Sequence, residues 1–230
     1  MTSSSADRCA PWRGTENHLT VRSFADTQGG HPLELEAFAA EVVGCRACEL
    51  AGYLERAKPI RPGLIAEPRM MLIGQAPGAL TDRKGYHFAG PAGRFLEIWL
   101  ERAGFPAGYF REHVYLTSLT RCFPGKSRFG NGDRAPSRAE IALCRRFLER
   151  EFQLIQPKVV LLVGKMAIDA FVGKRLLTDT VGKVFEIDGR RFLPLPHASG
   201  VSRWLNAAPN QALLDQALNE LRRLRQDFSL

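Results

Sequence analysis

The chain has 230 residues, of which 45% are hydrophobic, and its formal net charge is +8. This length is sufficient for one substantial core, and the positive charge favours polyanionic partners, nucleic acid first among them. No stretch approaches the roughly 18 consecutive apolar residues that a transmembrane helix needs, and the amino terminus lacks the apolar core of a signal peptide. We therefore expect a cytoplasmic, nucleoid-associated protein that does not bind membranes.

The first part of the chain predicts a leader and then a helix. Residues 1–31 are rich in small polar residues and have no sustained apolar period, which is typical of a flexible segment. From Pro32 onward the apolar residues recur on one helical face, and this helix ends just before Cys45 and Cys48. We expect the leader to be followed by a single domain over residues 32–230.

A short apolar run at residues 70–73 predicts a buried strand that opens into a loop. Residues 74–78 supply turn-forming residues around the polar side chain of Gln75, and Pro91 then opens a helical pattern. Ligands of α/β folds bind beyond the carboxyl ends of such strands. The segment from 74 to 90 is therefore the first candidate binding loop.

Further strands are predicted at residues 114–119 and 158–163, each followed by a helical pattern. Ser137 and Glu140 have the spacing of a capping box, which predicts the start of the helix that carries Cys144. The alternation of strands and helices, with apolar strands of the kind buried on both faces, predicts a three-layer α/β/α sandwich with a mostly parallel central sheet.

The last third of the chain predicts a hairpin, a second loop and a final helix. Asp188 and Gly189 have the composition of a two-residue hairpin turn. The strand after this turn ends in a second Pro, His, Ser and Gly loop around His197, and residues 210–227 form an amphipathic helix. Because this second loop also follows a strand, we expect it to face the first one across one pocket.

The chain has five cysteines, an odd number that argues against a complete disulfide framework and fits a reducing compartment. Cys45 and Cys48 form a CxxC pair, Cys122 and Cys144 are single, and Cys9 lies in the leader, where it is most simply a free thiol. One pair with two distant single residues fits a four-cysteine iron–sulfur cluster better than a zinc site. Zinc and unliganded buried thiols remain the alternatives.

Over about residues 40–226 the chain resembles the uracil-DNA glycosylases of the iron–sulfur branch, called family 4. The matching signals follow one another in the order and spacing of that family. They are residues 74–78, Asp82, residues 85–90, residues 92–94, residues 114–122 and residues 197–199. The resemblance implies the same sandwich fold, hydrolysis of uracil from DNA by base flipping, and a structural 4Fe-4S cluster on Cys45, Cys48, Cys122 and Cys144.

The resemblance also implies roles for individual residues of the two loops. Phe88 would stack on the flipped base, and Ser118 would contact its edge unless backbone groups do so. His197 would donate to the oxygen of the departing base, while Asp82 would position water at the sugar and Gln75 would orient that water. The base pocket would consist of Gln75, Ala76, Phe88, Ser118 and His197. Each residue also has an ordinary structural reading, such as a core position for Phe88 or a solvated loop position for Asp82.

Four positions depart from the family pattern. Gln75 replaces a glutamate, Thr81 stands where an acidic residue is common, Ser118 replaces an asparagine and Ala198 replaces a proline. These departures affect the expected rate and base specificity, and they support an alternative, a protein that binds uracil-DNA or abasic DNA with low turnover. A third reading is an unrelated hydrolase that uses the second loop, with His197 and Ser199, as a nucleophile site.

The basic residues on or beside the predicted loops are expected to contact DNA phosphates, which position a duplex without reading its sequence. These residues are Arg94, Arg121, Lys126, Arg128, Arg134 and Arg203. Trp204 and Val201 are candidates for a wedge that fills the gap left by the flipped base, with core packing as the alternative for Trp204. The expected partner is DNA that contains uracil or an abasic site, bound by a monomer.

Overall fold

A computed structural model of the chain describes residues 32–65, 67–128, 130, 132–198 and 203–230. Its five strands are β1 Met70–Gly74, β2 Val114–Ser118, β3 Val159–Val163, β4 Phe185–Ile187 and β5 Arg190–Leu195. They form one sheet in the order β2-β1-β3-β5-β4. Every neighbouring pair is parallel except β4 with β5, so the predicted mostly parallel sheet is confirmed.

Helices cover both faces of this sheet. In chain order they are α1 Pro32–Val43, α2 Ala47–Leu50, α3 Ala79–Lys84, α4 Pro91–Arg102, α5 Tyr109–Glu112, α6 Arg138–Ile155, α7 Lys165–Phe171, α8 Leu177–Thr180 and α9 Ala208–Phe228, with a 3-10 turn at Arg203–Asn206. Within the described part of the chain, none of these helices is long and apolar enough to cross a membrane.

Alternation along the strands creates two cores. Met70 and Leu72 of β1 face α4, α5 and α9, whereas Met71 and Ile73 face α1, α6 and α7. This pattern follows from the two-residue period of a strand that is buried on both faces. The three-layer α/β/α sandwich predicted from the sequence is therefore confirmed. The expected leader lies outside the described residues, and the single domain over residues 32–230 stays a prediction.

Local sequence signals determine two of the predicted boundaries. The Ser137 hydroxyl accepts from the Glu140 amide at 3.2 Å, and the Glu140 carboxylate accepts from the Ser137 amide at 2.7 Å, so the capping box opens α6. Asp188 and Gly189 have φ values of 49° and 71°, as a two-residue hairpin turn of type I′ requires. Both predictions are confirmed.

Helix α3 was not predicted, because residues 79–84 were interpreted as part of a loop. The helix is short, and no local side chain caps its first turn. Its cap comes instead from a distant part of the chain, since the Ala79 amide donates to the Asp133 carboxylate at 3.0 Å. The long loop between β2 and α6 is thereby attached to the segment that follows β1.

Candidate functional site

The two predicted loops lie at the same edge of the sheet. Gly74 and Ser118, the last residues of β1 and β2, are register partners. His197, which follows β5, lies against Gly164 at the end of β3, since a Cβ atom built on Gly164 would be 3.1 Å from His197 Cδ2. Because β3 lies between β1 and β5, the strand ends place both loops along one continuous edge.

Phe88 lies directly over the end of β1. A Cβ atom on Gly74 would be 2.8 Å from Phe88 Cζ, so only glycine allows the ring this close. The ring is half-buried and meets Phe110 edge to face, with 6.1 Å between the ring centroids. Phe88 has a φ of 53°, a left-handed conformation that costs a residue with a side chain about 1–2 kcal/mol.

Arg111 of α5 holds the backbone on which Phe88 is placed. Its Nη1 donates to the His87 carbonyl and its Nη2 to the Phe88 carbonyl, each at 2.7 Å. Its Nε donates to Glu97 at 3.0 Å. A Cβ atom on Gly93 would collide with the Phe88 carbonyl, so glycine is required there too. Sequence analysis missed Arg111, because it lies outside every recognisable motif.

His87, next to Phe88, is buried and was also missed. Burial and, to a smaller extent, the charges of Arg121 and Arg111 lower the pKa of His87 to about 3. The imidazole is therefore neutral at physiological pH. The backbone carbonyl of His87 accepts from Arg111, and the only sequence signal for His87 is its place between Tyr86 and Phe88.

The residues predicted to read the base edge differ in their accessibility. Gln75 and Ala76 are half-buried and directly follow β1. Ser118 is only 2% exposed, and its hydroxyl donates to the Thr120 carbonyl at 2.7 Å. The donor that was predicted to contact a base is therefore already occupied, because its hydrogen bond stays within the turn after β2.

Asp82 lies on α3 and not in an open loop. Its carboxylate is half-buried and lies 3.6 Å from Lys58 Nζ, and the same ammonium group donates to the Asp82 carbonyl. Lys58 belongs to the segment between α2 and β1, which was expected only to cross the surface. Asp82 therefore has a cationic partner that the sequence did not suggest.

In the second loop, the structure describes His197 but not its neighbours Ser199 and Val201, so their predicted roles lie outside the described residues. Much of the His197 side chain is exposed, yet partial burial lowers the pKa of its imidazole, which keeps the ring neutral at pH 7. Neutral imidazole has one N–H donor. Trp204 is half-buried and packs against the core shared by α4 and α9, in agreement with the alternative of core packing.

Four cysteines lie in one region, and all four are free thiols. The hydrogen bond between Cys48 and Cys144 raises the pKa of Cys48 and lowers that of Cys144 to about 6. Burial, together with the charges of Cys144 and Cys45, raises the pKa of Cys122 to about 12. Among the described residues, however, no three His, Cys, Asp or Glu side chains are arranged to hold a metal ion.

Arg121, which was predicted to contact DNA, is buried, and that prediction is wrong. The side chain is 1% exposed, and its Nη2 donates to Glu151 at 2.6 Å while its Nη1 donates to the Ser118 carbonyl. Thr117 and Tyr115 of β2 also donate to Glu151. Arg121 Nε has no hydrogen-bond partner in the described part of the chain, although the backbone amide of Arg121 reaches Cys144 Sγ at 3.4 Å.

The remaining basic candidates fall into two groups. Arg134 is half-buried and makes two hydrogen bonds of 2.7 Å to Glu140, and its contact with a phosphate stays a prediction. Lys126 is exposed and pairs with Asp133 at 2.7 Å. The other three candidates are exposed arginines that a phosphate backbone can reach, namely Arg94, Arg128 and Arg203.

The chain is similar to known proteins of one superfamily. Residues 62–222 match the model described as the uracil DNA glycosylase superfamily. A type-4 uracil-DNA glycosylase of Thermotoga maritima is 29% identical over 193 residues, which cover 83% of this chain and 88% of the relative. Type-4 enzymes of Saccharolobus solfataricus and Sulfurisphaera tokodaii are 30% and 26% identical over 65% and 69% of this chain. The match covers 65% and 66% of those two relatives.

Proposed function

The chain belongs to the uracil DNA glycosylase superfamily, and we propose that it hydrolyses the N-glycosidic bond of uracil in DNA and leaves an abasic site. Such an enzyme must flip the nucleotide out of the stack to reach this bond. The observation that carries the proposal is the placement of Phe88 over Gly74 and of His197 beside Gly164 at one edge of the sheet. The names of the relatives support uracil in DNA as the substrate.

In this mechanism, uracil stacks on Phe88, and negative charge develops on the base as the bond breaks. The neutral His197 donates its N–H to the base oxygen, and loss of one such preorganised donor typically costs about 3–4 kcal/mol of barrier. Gln75 cannot act as a base, but its amide orients water at the sugar face. Asp82, held by Lys58, supplies the carboxylate that positions this water and stabilises the positive sugar.

Base discrimination falls mainly to backbone groups after β1. The Ser118 hydroxyl is committed to Thr120, so the backbone around Gln75 and Ala76 supplies the polar contacts to the uracil edge. An asparagine amide offers a donor and an acceptor together, which a single hydroxyl cannot replace. Discrimination against cytosine is therefore weaker than with an asparagine in place of Ser118, by about 1–3 kcal/mol for one lost bidentate contact.

We also propose that Cys45, Cys48, Cys122 and Cys144 hold a 4Fe-4S cluster. The four thiols are free and near enough to shift one another's pKa, which suits a thiolate-bound cluster, and the backbone amide of Arg121 donates to Cys144 Sγ at 3.4 Å. When bound, the cluster would hold together the segments that carry these cysteines, and it would take no part in bond cleavage.

The colour of the protein tests this cluster. An anaerobic preparation should be brown with broad visible absorption, which d¹⁰ zinc cannot give. Cys144→Ala should lose the colour, whereas Cys9→Ala, a matched change outside the proposed ligands, should keep it. A colourless protein that contains zinc would overturn the assignment.

DNA that contains uracil, followed by alkali, tests the glycosylase activity directly. Strand cleavage at the uracil should appear with the wild-type protein, and His197→Ala should slow it about 100- to 1,000-fold, as expected for a lost transition-state donor. His113→Ala is the matched control, because His113 precedes β2 at the opposite edge of the sheet. No cleavage above background with the wild-type protein would contradict the proposed glycosylase activity.

A binding protein with low turnover is the second candidate. It is favoured by Gln75, which lacks a carboxylate, and by the pairing of Asp82 with Lys58, which leaves no unpartnered acid in the first loop. Counting turnovers beside a gel-shift titration separates the candidates. Many turnovers per protein exclude the pure binder, while retention of uracil or abasic DNA after a single turnover supports it.

A further inference from the structure

We propose that Arg111 is a positioning residue whose guanidinium fixes Phe88 as the platform for the flipped base; this inference rests on the proposed glycosylase function. The guanidinium bonds two successive carbonyls, those of His87 and Phe88, at 2.7 Å each. These are the peptide groups on either side of the Phe88 Cα atom. Their orientation determines where the Phe88 side chain points.

The Phe88 backbone needs such an external constraint. Its left-handed φ of 53° is a conformation that a residue with a side chain keeps only when its surroundings impose it. Two parallel N–H donors from one rigid, planar group fix the orientation of two carbonyls at once. Lysine carries a single point charge on a flexible stem and cannot reproduce this geometry.

Arg111 is itself held on two sides. Glu97 of α4 accepts from its Nε at 3.0 Å, and its guanidinium carbon lies 4.7 Å from the centre of the Phe110 ring. Gly93 of α4 leaves the space through which the Phe88 carbonyl approaches, and a Cβ atom there would also lie 2.6 Å from Arg111 Nη2. Arg111 is therefore supported by two helices, its own helix α5 and the neighbouring α4.

The expected consequence is specific for the base. If Arg111 acts only through Phe88, its loss should weaken binding of a flipped uracil and leave binding of the sugar-phosphate backbone unchanged. A general structural role would weaken both alike. Two duplexes separate these cases: one contains 2′-fluoroarabino-uridine, which resists hydrolysis, and the other contains a tetrahydrofuran abasic analogue with no base to stack.

The test measures dissociation constants of both duplexes for the cluster-loaded protein. Arg111→Gln should weaken the uracil duplex about 5- to 150-fold, the range for one lost base stack, and change the abasic duplex less than about 2-fold. Phe88→Ala should weaken binding of the uracil duplex to the same extent. The double variant should show no further loss, because both changes remove the same interaction. Arg102→Gln, at the far end of α4 and paired with Asp215, is the matched control.

Arg111→Lys keeps the charge and should fall between wild type and Arg111→Gln, and it replaces that variant if Arg111→Gln does not fold. Equal weakening of both duplexes, unchanged binding, or additive losses in the double variant would each overturn the inference. The proposed function fails separately, if the wild-type protein neither excises uracil nor prefers the uracil duplex to its thymine counterpart.

Discussion

Two arginines support the two sides of the candidate site, and they differ in what they hold. Arg121 is 1% exposed and is paired with the equally buried Glu151, so its charge is neutralised inside the protein. Arg111 is 32% exposed and directs its donors to backbone carbonyls of the Phe88 loop. Burial determines how much stability the protein loses with an arginine. Loss of Arg121 should lower the free energy of unfolding, whereas loss of Arg111 should change the position of one side chain.

The largest expected effect is on the buried side. Arg121→Met leaves the buried Glu151 carboxylate without a cationic partner, and breaking a buried pair in this way costs about 3–5 kcal/mol of unfolding free energy. Urea denaturation measures it. Arg145→Met is the matched control, because Arg145 and Glu149 form a partly exposed pair on α6, the helix that carries Glu151, and surface pairs contribute about 0–1 kcal/mol. Similar losses in the two variants would contradict the contrast between buried and exposed arginines.

His87, whose pKa is lowered by burial and, to a smaller extent, by both arginines, gives the next effect. Its folded pKa of about 3 lies below the ordinary value of 6.5, so only the unfolded chain binds this proton between those values. Stability is therefore unaffected above pH 6.5 and falls toward pH 3, by up to about 1.4 kcal/mol per pH unit. His87→Gln should flatten the slope in denaturation experiments from pH 7 to pH 4, and the exposed His113→Gln should not. An unchanged slope in His87→Gln would refute this account.

The smallest effect is expected at Glu97, which orients Arg111. The pair is partly exposed, so Glu97→Gln should change the unfolding free energy by less than about 1 kcal/mol. Both carbonyl bonds of Arg111 remain, and the amide oxygen of glutamine still accepts from Nε. Binding of the uracil duplex should therefore fall less than with Arg111→Gln. An equal or larger fall would transfer the positioning role from the carbonyl bonds to the ion pair.

The sheet and the main helices could be predicted because their signals are local. Residues 159–163 are continuously apolar and fully buried in β3, and Ser137 with Glu140 starts α6 through contacts three residues apart. Local spacing was sufficient for these elements. Phe88 was identified through the resemblance of its loop to a family motif; its ring lies over Gly74, and its stacking on a base stays a prediction.

The two arginines could not be interpreted correctly, because their partners are distant in sequence. Arg121 appeared as a loop cation beside a strand, and nothing in the sequence shows that Glu151, thirty residues later, turns inward to meet it. Arg111 binds carbonyl groups, which every residue has, so its role leaves no sequence pattern. Asp133, the cap of α3, is 54 residues from its partner Ala79. Tertiary structure alone creates these contacts.

The pairing of β1 with β3 has a consequence for synthesis on the ribosome. Met70 is the register partner of Val159, so the central pair of the sheet cannot form until the chain has been translated past β3. Pairing over such a distance is intrinsically slow. Phe88 and its partners Gly74, Phe110 and Arg111 are all translated before β3. The base platform is therefore synthesised ahead of the strand that completes the middle of the sheet.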